Sequence, residues 1–254
     1  MRTNEAKRKM MAGQPAYGYT LGLGSVAAAE QISRLGPDFV FIDTQHGSFG
    51  QEQVSLALMA IEAGGSIPMA RVARNDYTLI GRLLDEGALG IIVPMVDTAE
   101  QAKAAADATH LPPAGTRSWG IGGAGRYGAE YFDRINDELF VAVQLESIQA
   151  VDNAEAIMAT PGIDGCWIGP ADLALSLGIH PRDAAKDDRH ARAIERVVEA
   201  CHNTGKIPGF AAFTPEDALM RMKQGFRFLT AGTDASFMLG GARAGLEMLG
   251  LKNN

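Results

Sequence analysis

The sequence predicts an α/β protein folded as a (β/α)8 TIM barrel, and three observations carry that expectation. Eight short runs are apolar almost throughout, helical stretches alternate with them, and the chain is 254 residues long. Strands that are apolar on both faces are those of a parallel sheet covered by helices. About 250 residues is the usual length of such a barrel. An open, doubly wound sheet is the alternative, because periodicity does not show closure. Residues 1–254 are expected to form a single barrel domain.

The expected strands are Tyr17–Leu23, Phe39–Asp43, Ile67–Val72, Gly90–Val96, Phe140–Leu145, Gly165–Ile168, Ile207–Phe213 and Phe226–Ala231. Between them, Val26–Leu35 repeats apolar residues at helical spacing and stops at Gly36. Gln51–Ala63 stops at Gly64 and Gly65, and Tyr77–Glu86 at Gly87. Thr98 and Thr214 stand where a helix N-cap is expected, the latter followed by Pro215 and two acids. Asp152–Met158, Arg192–Cys201 and Phe237–Leu249 complete the helices.

One segment breaks the rhythm. Pro112–Gly128 is long and Gly-rich, and its Gly120–Gly125 stretch satisfies GxGxxG. The residues before it are not a buried strand, so dinucleotide binding is not expected. A lid or an oligomer contact fits a long loop better.

Composition narrows the function. Lys and Arg total 23 against 30 for Asp and Glu, a net charge of −7, which argues against a nucleic-acid groove. No apolar run approaches the ~20 residues that cross a bilayer. The amino-terminal stretch lacks the apolar region of a secretory signal, so a cytoplasmic protein is expected. The two cysteines, Cys166 and Cys201, form no CxxC, which excludes a disulfide scaffold and a cysteine zinc site.

In such barrels the reacting groups stand at the carboxyl ends of the strands. There the sequence places Asp43 and His46, Arg71 and Arg74, Glu146, and Asp172. Glu146 and Asp172 come from adjacent strands, and two converging carboxylates call for a proton or a hard divalent cation such as Mg2+ or Mn2+. Alternatively, Asp172 simply N-caps a short helix Leu173–Leu177. His46 is either a general base near neutral pH or a structural partner of Asp43. Arg71 offers a planar fork to a carboxylate or an enolate, or else pairs with a strand-end acid. His110, His180, His190 and His202 are expected to be solvated. Lys7, Lys9, Lys103, Lys186, Lys206, Lys223 and Lys252 all fall away from carboxyl ends, so a Schiff-base mechanism lacks its nucleophile.

The segments DFVFIDTQHG, RVARND, LLDEGALGIIVPMVDTAEQA, PPAGTRS, VQLESIQAVDNAEAI and GIDGCWIGPADLALSLG occur in order along the chain. Together they resemble the class II pyruvate aldolases of the HpcH/HpaI group, from about Gly13 to Leu249. The resemblance implies a hexamer, a dimer of trimers, with the last helix exchanged between subunits. It implies a divalent metal (Mg2+, Mn2+ or Co2+) held by Glu146 and Asp172, and a 2-oxo acid and an aldehyde as small-molecule partners. The backbone amides of Ala171 and Asp172 would receive the pyruvate carboxylate, and Arg71 would steady the enolate. His46, paired with the acid matching Asp85, would assist proton transfer through metal-bound water, with Asp43 the next candidate. Ala211, in the run Phe210–Phe213, and Trp119 would line the aldehyde pocket. Gln45 departs from the family's usual Glu beside the histidine. A metal-dependent aldolase acting on 4-hydroxy-2-oxo acids is the expected function. Oxaloacetate-type decarboxylation and a divergent, non-catalytic barrel are the alternatives. Helices of this fold run back toward the amino-terminal face. Asp85 is therefore expected roughly 12–13 Å from its own catalytic face, completing a neighbouring subunit's site.

Overall fold

Eight parallel strands close into one ring in the computed structural model, which describes residues 1–251. They are β1 (Ala16–Leu21), β2 (Phe39–Asp43), β3 (Ile67–Arg71), β4 (Gly90–Val93), β5 (Phe140–Leu145), β6 (Gly165–Ile168), β7 (Gly209–Ala212) and β8 (Phe228–Thr233). Each pairs in parallel with the next, and β1 with β8, so no edge is left open and the doubly wound sheet is excluded. The expected helix caps are in place: Thr98 accepts the N–H of Gln101, and Thr214 that of Asp217. Lys252 lies outside the described residues.

Aromatic rings fill the lower barrel. Phe228 packs at 4.8 Å from Phe39 and 4.9 Å from Phe140, measured between ring centroids. One level higher, Phe41 meets Trp167 edge-on at 5.2 Å. A Cβ at Gly18 or Gly209 would collide with the rings of Phe39 and Phe228, so these positions stay bare to admit them. The helix Glu5–Met11, absent from the sequence reading, crosses the amino-terminal mouth. Asn4 donates to the Leu89 carbonyl, and Lys7 pairs with Asp164 at 3.0 Å.

Several expectations need correction. β4 ends at Val93 and not at Val96, because Pro94 has no N–H to pair and Met95 turns to φ 55°. Part of the irregular segment is helical, as Ile121–Tyr127, and a second helix follows at Tyr131–Glu138. Two glycines of its GxGxxG serve packing: a Cβ at Gly120 would strike the Asp85 carboxylate and one at Gly122 the Asp85 carbonyl, whereas Gly125 faces open space. His110 and His190 are buried. A ring nitrogen of each sits 2.9 Å from a carbonyl, of Ala106 and Pro170 respectively. Cys166 and Cys201, distant in sequence, are both buried and free, with their sulfurs 3.5 Å apart.

The helix Asp234–Met248 is unlike the others. Of its residues only Asp234 is buried, its carboxylate accepting the N–H groups of Gly22 and Leu23. Met238, Leu239, Leu246 and Met248 are exposed. No helix among the described residues is long and apolar enough to cross a membrane.

Phe228 links two rings of the lower layer and is fully buried. Phe228→Ala should therefore cost ~3–5 kcal/mol of stability in urea denaturation. A loss below ~1 kcal/mol would show that this layer does not carry the barrel.

Candidate active site

The β2–β3 register sets Asp43 beside Arg71 at the carboxyl ends of their strands. The guanidinium grips the carboxylate with both arms, Nε to Oδ1 at 2.9 Å and Nη2 to Oδ2 at 2.5 Å. Arg71 also lies over the Trp167 ring, 5.5 Å from its centroid, and reaches Gln144 Oε1 at 3.4 Å. Burial works to raise the Asp43 carboxyl. The hydrogen bond and charge of Arg71, with the N–H groups of Gln45 and His46, outweigh it and hold the group below the usual carboxylate range. Asp43 is thus an ionised, saturated acceptor at neutral pH, which suits it to holding Arg71 and not to taking protons.

The same carboxylate shapes the turn after β2. Its Oδ1 accepts the backbone N–H of Gln45 at 2.9 Å and of His46 at 3.2 Å. His46 meets Asp43 through its backbone and not through its ring, and the residue is exposed where the turn faces the cavity.

Glu146 follows β5 and is buried. Its Oε1 accepts the Met95 N–H at 3.0 Å, and its Oε2 accepts a short hydrogen bond from Gln144 Nε2. A Cβ at Gly169 would stand 2.5 Å from Oε2, so only glycine leaves this space to the carboxylate. Burial pushes the Glu146 carboxyl up to about 7, and the charge of Asp172 adds to the rise, against the Met95 N–H and Arg71.

Gly169 is also the N-cap of the helix Pro170–Ser176, and it offers no side-chain acceptor. The N–H groups of Ala171 and Asp172 are in the first turn, without acceptors inside the helix. His190 holds this helix start through the Pro170 carbonyl. Asp172 sits inside the first turn and is exposed, so the capping role open to it in the sequence falls away. Pro170 starts the helix three residues earlier than Leu173.

A cavity of about 220 Å³ opens among these groups. Asp43, His46, Arg71, Ala171, Asp172 and Ala211 line it, and Glu146 stands directly behind Gln144 and Gly169. Asp85 and Trp119 are not part of its lining. Asp85 pairs with Arg117 at 2.7 Å, and Trp119 packs on Tyr131 and Phe132. Sequence reasoning missed Gln144, Trp167 and Gly169. Gln144 had a signal, since it lies two residues before Glu146 on the barrel-facing side of a period-two strand. No lysine lines the cavity.

Two hard oxygen donors with no ion-pair partner among the described residues suit a divalent cation, since Arg71 is already committed to Asp43. No group of three or more His, Cys, Asp or Glu is placed to hold a metal ion among the described residues. A cation held by these two carboxylates would keep its other coordination positions for water and substrate.

A closed barrel that gathers these groups at its carboxyl mouth has the architecture of an enzyme whose active site lies at its strand ends. Residues 20–239 match the HpcH/HpaI aldolase/citrate lyase family, and the chain belongs to it. A hydroxypyruvate/pyruvate aldolase of Rhizorhabdus wittichii is 38% identical, over 91% of this chain and 92% of its own. A 2-keto-3-deoxy-L-rhamnonate aldolase of Klebsiella pneumoniae is also 38% identical, over 91% and 88%. The crystal structure of an HpcH/HpaI aldolase/citrate lyase family protein from Burkholderia cenocepacia superposes with a TM-score of 0.89. It is 33% identical and covers 97% of this chain and 99% of that one.

Glu146 makes the metal-free protein pH-sensitive. Between 4.5, its ordinary value, and about 7, the folded chain keeps a proton that the unfolded chain has released. Stability is therefore full below 4.5, falls as pH rises through this window, and levels off above it, by roughly 3 kcal/mol in all. Thermal melts in chelator from pH 4.5 to 8 should show this decline in the parent and a flatter profile in Glu146→Gln. Identical slopes in the two proteins would refute it.

Proposed function

We propose that the protein is a divalent-metal-dependent aldolase. It reversibly cleaves a 4-hydroxy-2-oxo acid to pyruvate, or a related 2-oxo acid, and an aldehyde. The observation that carries this reading is the meeting of four features at one barrel mouth. These are the paired carboxylates Glu146 and Asp172, the oriented Arg71, the exposed His46 and the uncapped helix start at Ala171.

Glu146 and Asp172 would hold Mg2+, Mn2+ or Co2+. When bound, the ion supplies Lewis-acid stabilisation of the negative charge that develops on the 2-oxo oxygen. The N–H groups of Ala171 and Asp172 receive the substrate carboxylate. In the cleavage direction His46 takes the proton of the C4 hydroxyl, the C3–C4 bond breaks, and the aldehyde departs. The electron pair of that bond passes to the 2-oxo acid fragment as an enolate. Arg71, fixed by Asp43, presents a guanidinium N–H to that oxygen. The proton that His46 took, delivered directly or through water, then protonates C3, gives the 2-oxo acid and frees the imidazole. Ala211, small and at the end of β7, leaves room for the aldehyde.

The assembly belongs to the same proposal: a cytoplasmic homohexamer, a dimer of trimers, that exchanges the helix Asp234–Met248. The exposed apolar residues of that helix support it. So does the position of Asp85 and Trp119 outside the cavity of their own chain, where each can serve a neighbouring site, Asp85 beside His46 and Trp119 over the aldehyde.

Pyruvate release from a panel of 4-hydroxy-2-oxo acids should be abolished by EDTA and restored by Mg2+ or Mn2+. Asp172→Ala should lose metal binding and activity together. Full activity of that variant in chelator would overturn the reading.

His46→Ala should reduce turnover by about 10²–10⁴-fold with metal affinity kept. Mixed with Asp85→Ala under subunit exchange, it should regain part of that activity. No recovery in verified mixed oligomers would confine Asp85 to its pairing with Arg117.

A further inference from the structure

Among the described residues, Met95 alone combines a side chain with a positive φ, at 55°. An L-residue holds this left-handed conformation where its surroundings over-determine it. Here Pro94 and Val96 are buried on either side, and the Val96 N–H donates to the Gln144 carbonyl at 3.3 Å. The Met95 side chain is itself about half exposed, so its own packing does not impose the turn. What the turn delivers is the Met95 N–H, aimed at Glu146 Oε1 from 3.0 Å. Gln144 Nε2 engages the other oxygen, and Gly169 closes against it. Each carboxylate oxygen therefore has one fixed donor and keeps lone-pair capacity for a ligand.

We propose that the Met95 backbone amide is a positioning group of the metal site. The left-handed turn after β4 sets the rotation of the Glu146 carboxylate, and through it the affinity for the divalent cation. The inference rests on the assignment of Glu146 and Asp172 as metal ligands.

The direct test places the α-hydroxy analogue of methionine at position 95, which replaces the N–H by an ester oxygen and leaves every side chain in place. Calorimetric titration of Mn2+ into chelator-stripped protein should show a dissociation constant raised ~10–100-fold, the usual effect of losing an outer-sphere hydrogen bond. Met95→Gly, which adopts the turn freely, should stay within about threefold of the parent. Met95→Val, β-branched and ill-suited to this φ, should weaken binding about tenfold. A parent that binds Mn2+ alongside an ester variant of equal affinity, or glycine and valine variants of equal affinity, overturns the positioning role alone. A parent that binds no Mn2+ overturns the ligand assignment and this proposal with it.

Discussion

Closing eight parallel strands into a ring sends every carboxyl end to one mouth, and the β2–β3 register then decides what stands there. Asp43 and Arg71 are neighbours at the level where the interior passes from aromatic rings to charge. A guanidinium this buried needs its carboxylate, because removing either partner strands a charge at a cost of about 3–5 kcal/mol. The pair does more than cancel. The two-armed grip fixes the plane of Arg71, and the remaining capacity of Asp43 holds the N–H groups of the turn that carries His46. One carboxylate thus positions both a cation and the turn that carries His46.

With Asp43 and Arg71 balanced, Glu146 and Asp172 are left over. Neither has an ion-pair partner among the described residues, and the rise of the Glu146 carboxyl to about 7 is the protein's own response. A proton relieves one charge at the cost of an acceptor. A divalent cation would relieve both and make use of the acceptors, so the same burial that destabilises the metal-free protein at alkaline pH would favour a loaded one. Gly169 has a part in both halves of the site. Its missing side chain admits the Glu146 carboxylate and leaves the N–H groups of Ala171 and Asp172 uncapped.

The barrel was legible because eight apolar runs alternate with helical stretches, and the site because Asp43, Arg71 and Glu146 stand at the ends of β2, β3 and β5, with Asp172 four residues past β6. Closure and register were not legible, since period-two patterning says which face a residue takes and not which neighbour it meets. The contact between Met95 and Glu146 spans 51 residues and depends on where β4 stops. His190 reads as a polar helix residue until the fold brings the Pro170 carbonyl, 20 positions away, against its ring. The helix Ile121–Tyr127 contains three glycines after its first residue, a composition with low intrinsic helix propensity. It forms because the glycines allow close packing on Asp85 and Tyr131, which is a tertiary cause.

The last helix sets the scale of what the proposed assembly would supply. An ordinary surface helix hides an apolar stripe against its own core, but Asp234–Met248 leaves Met238, Leu239, Leu246 and Met248 in solvent. Full burial of an exposed side chain of this kind yields ~1.5–3 kcal/mol, and these four are 40–87% exposed, so the proposed exchange would yield about 3–7 kcal/mol per helix. That is comparable to the ~5–15 kcal/mol by which a whole domain is stable. The buried Arg117, whose Nε and Nη1 lack partners among the described residues, sits on the segment that also carries Trp119. In the proposed assembly, folding, oligomerisation and completion of the catalytic mouth would be one coupled equilibrium. In that proposed assembly Asp85, which lies outside the cavity of its own chain and pairs with Arg117, would stand toward the neighbouring mouth.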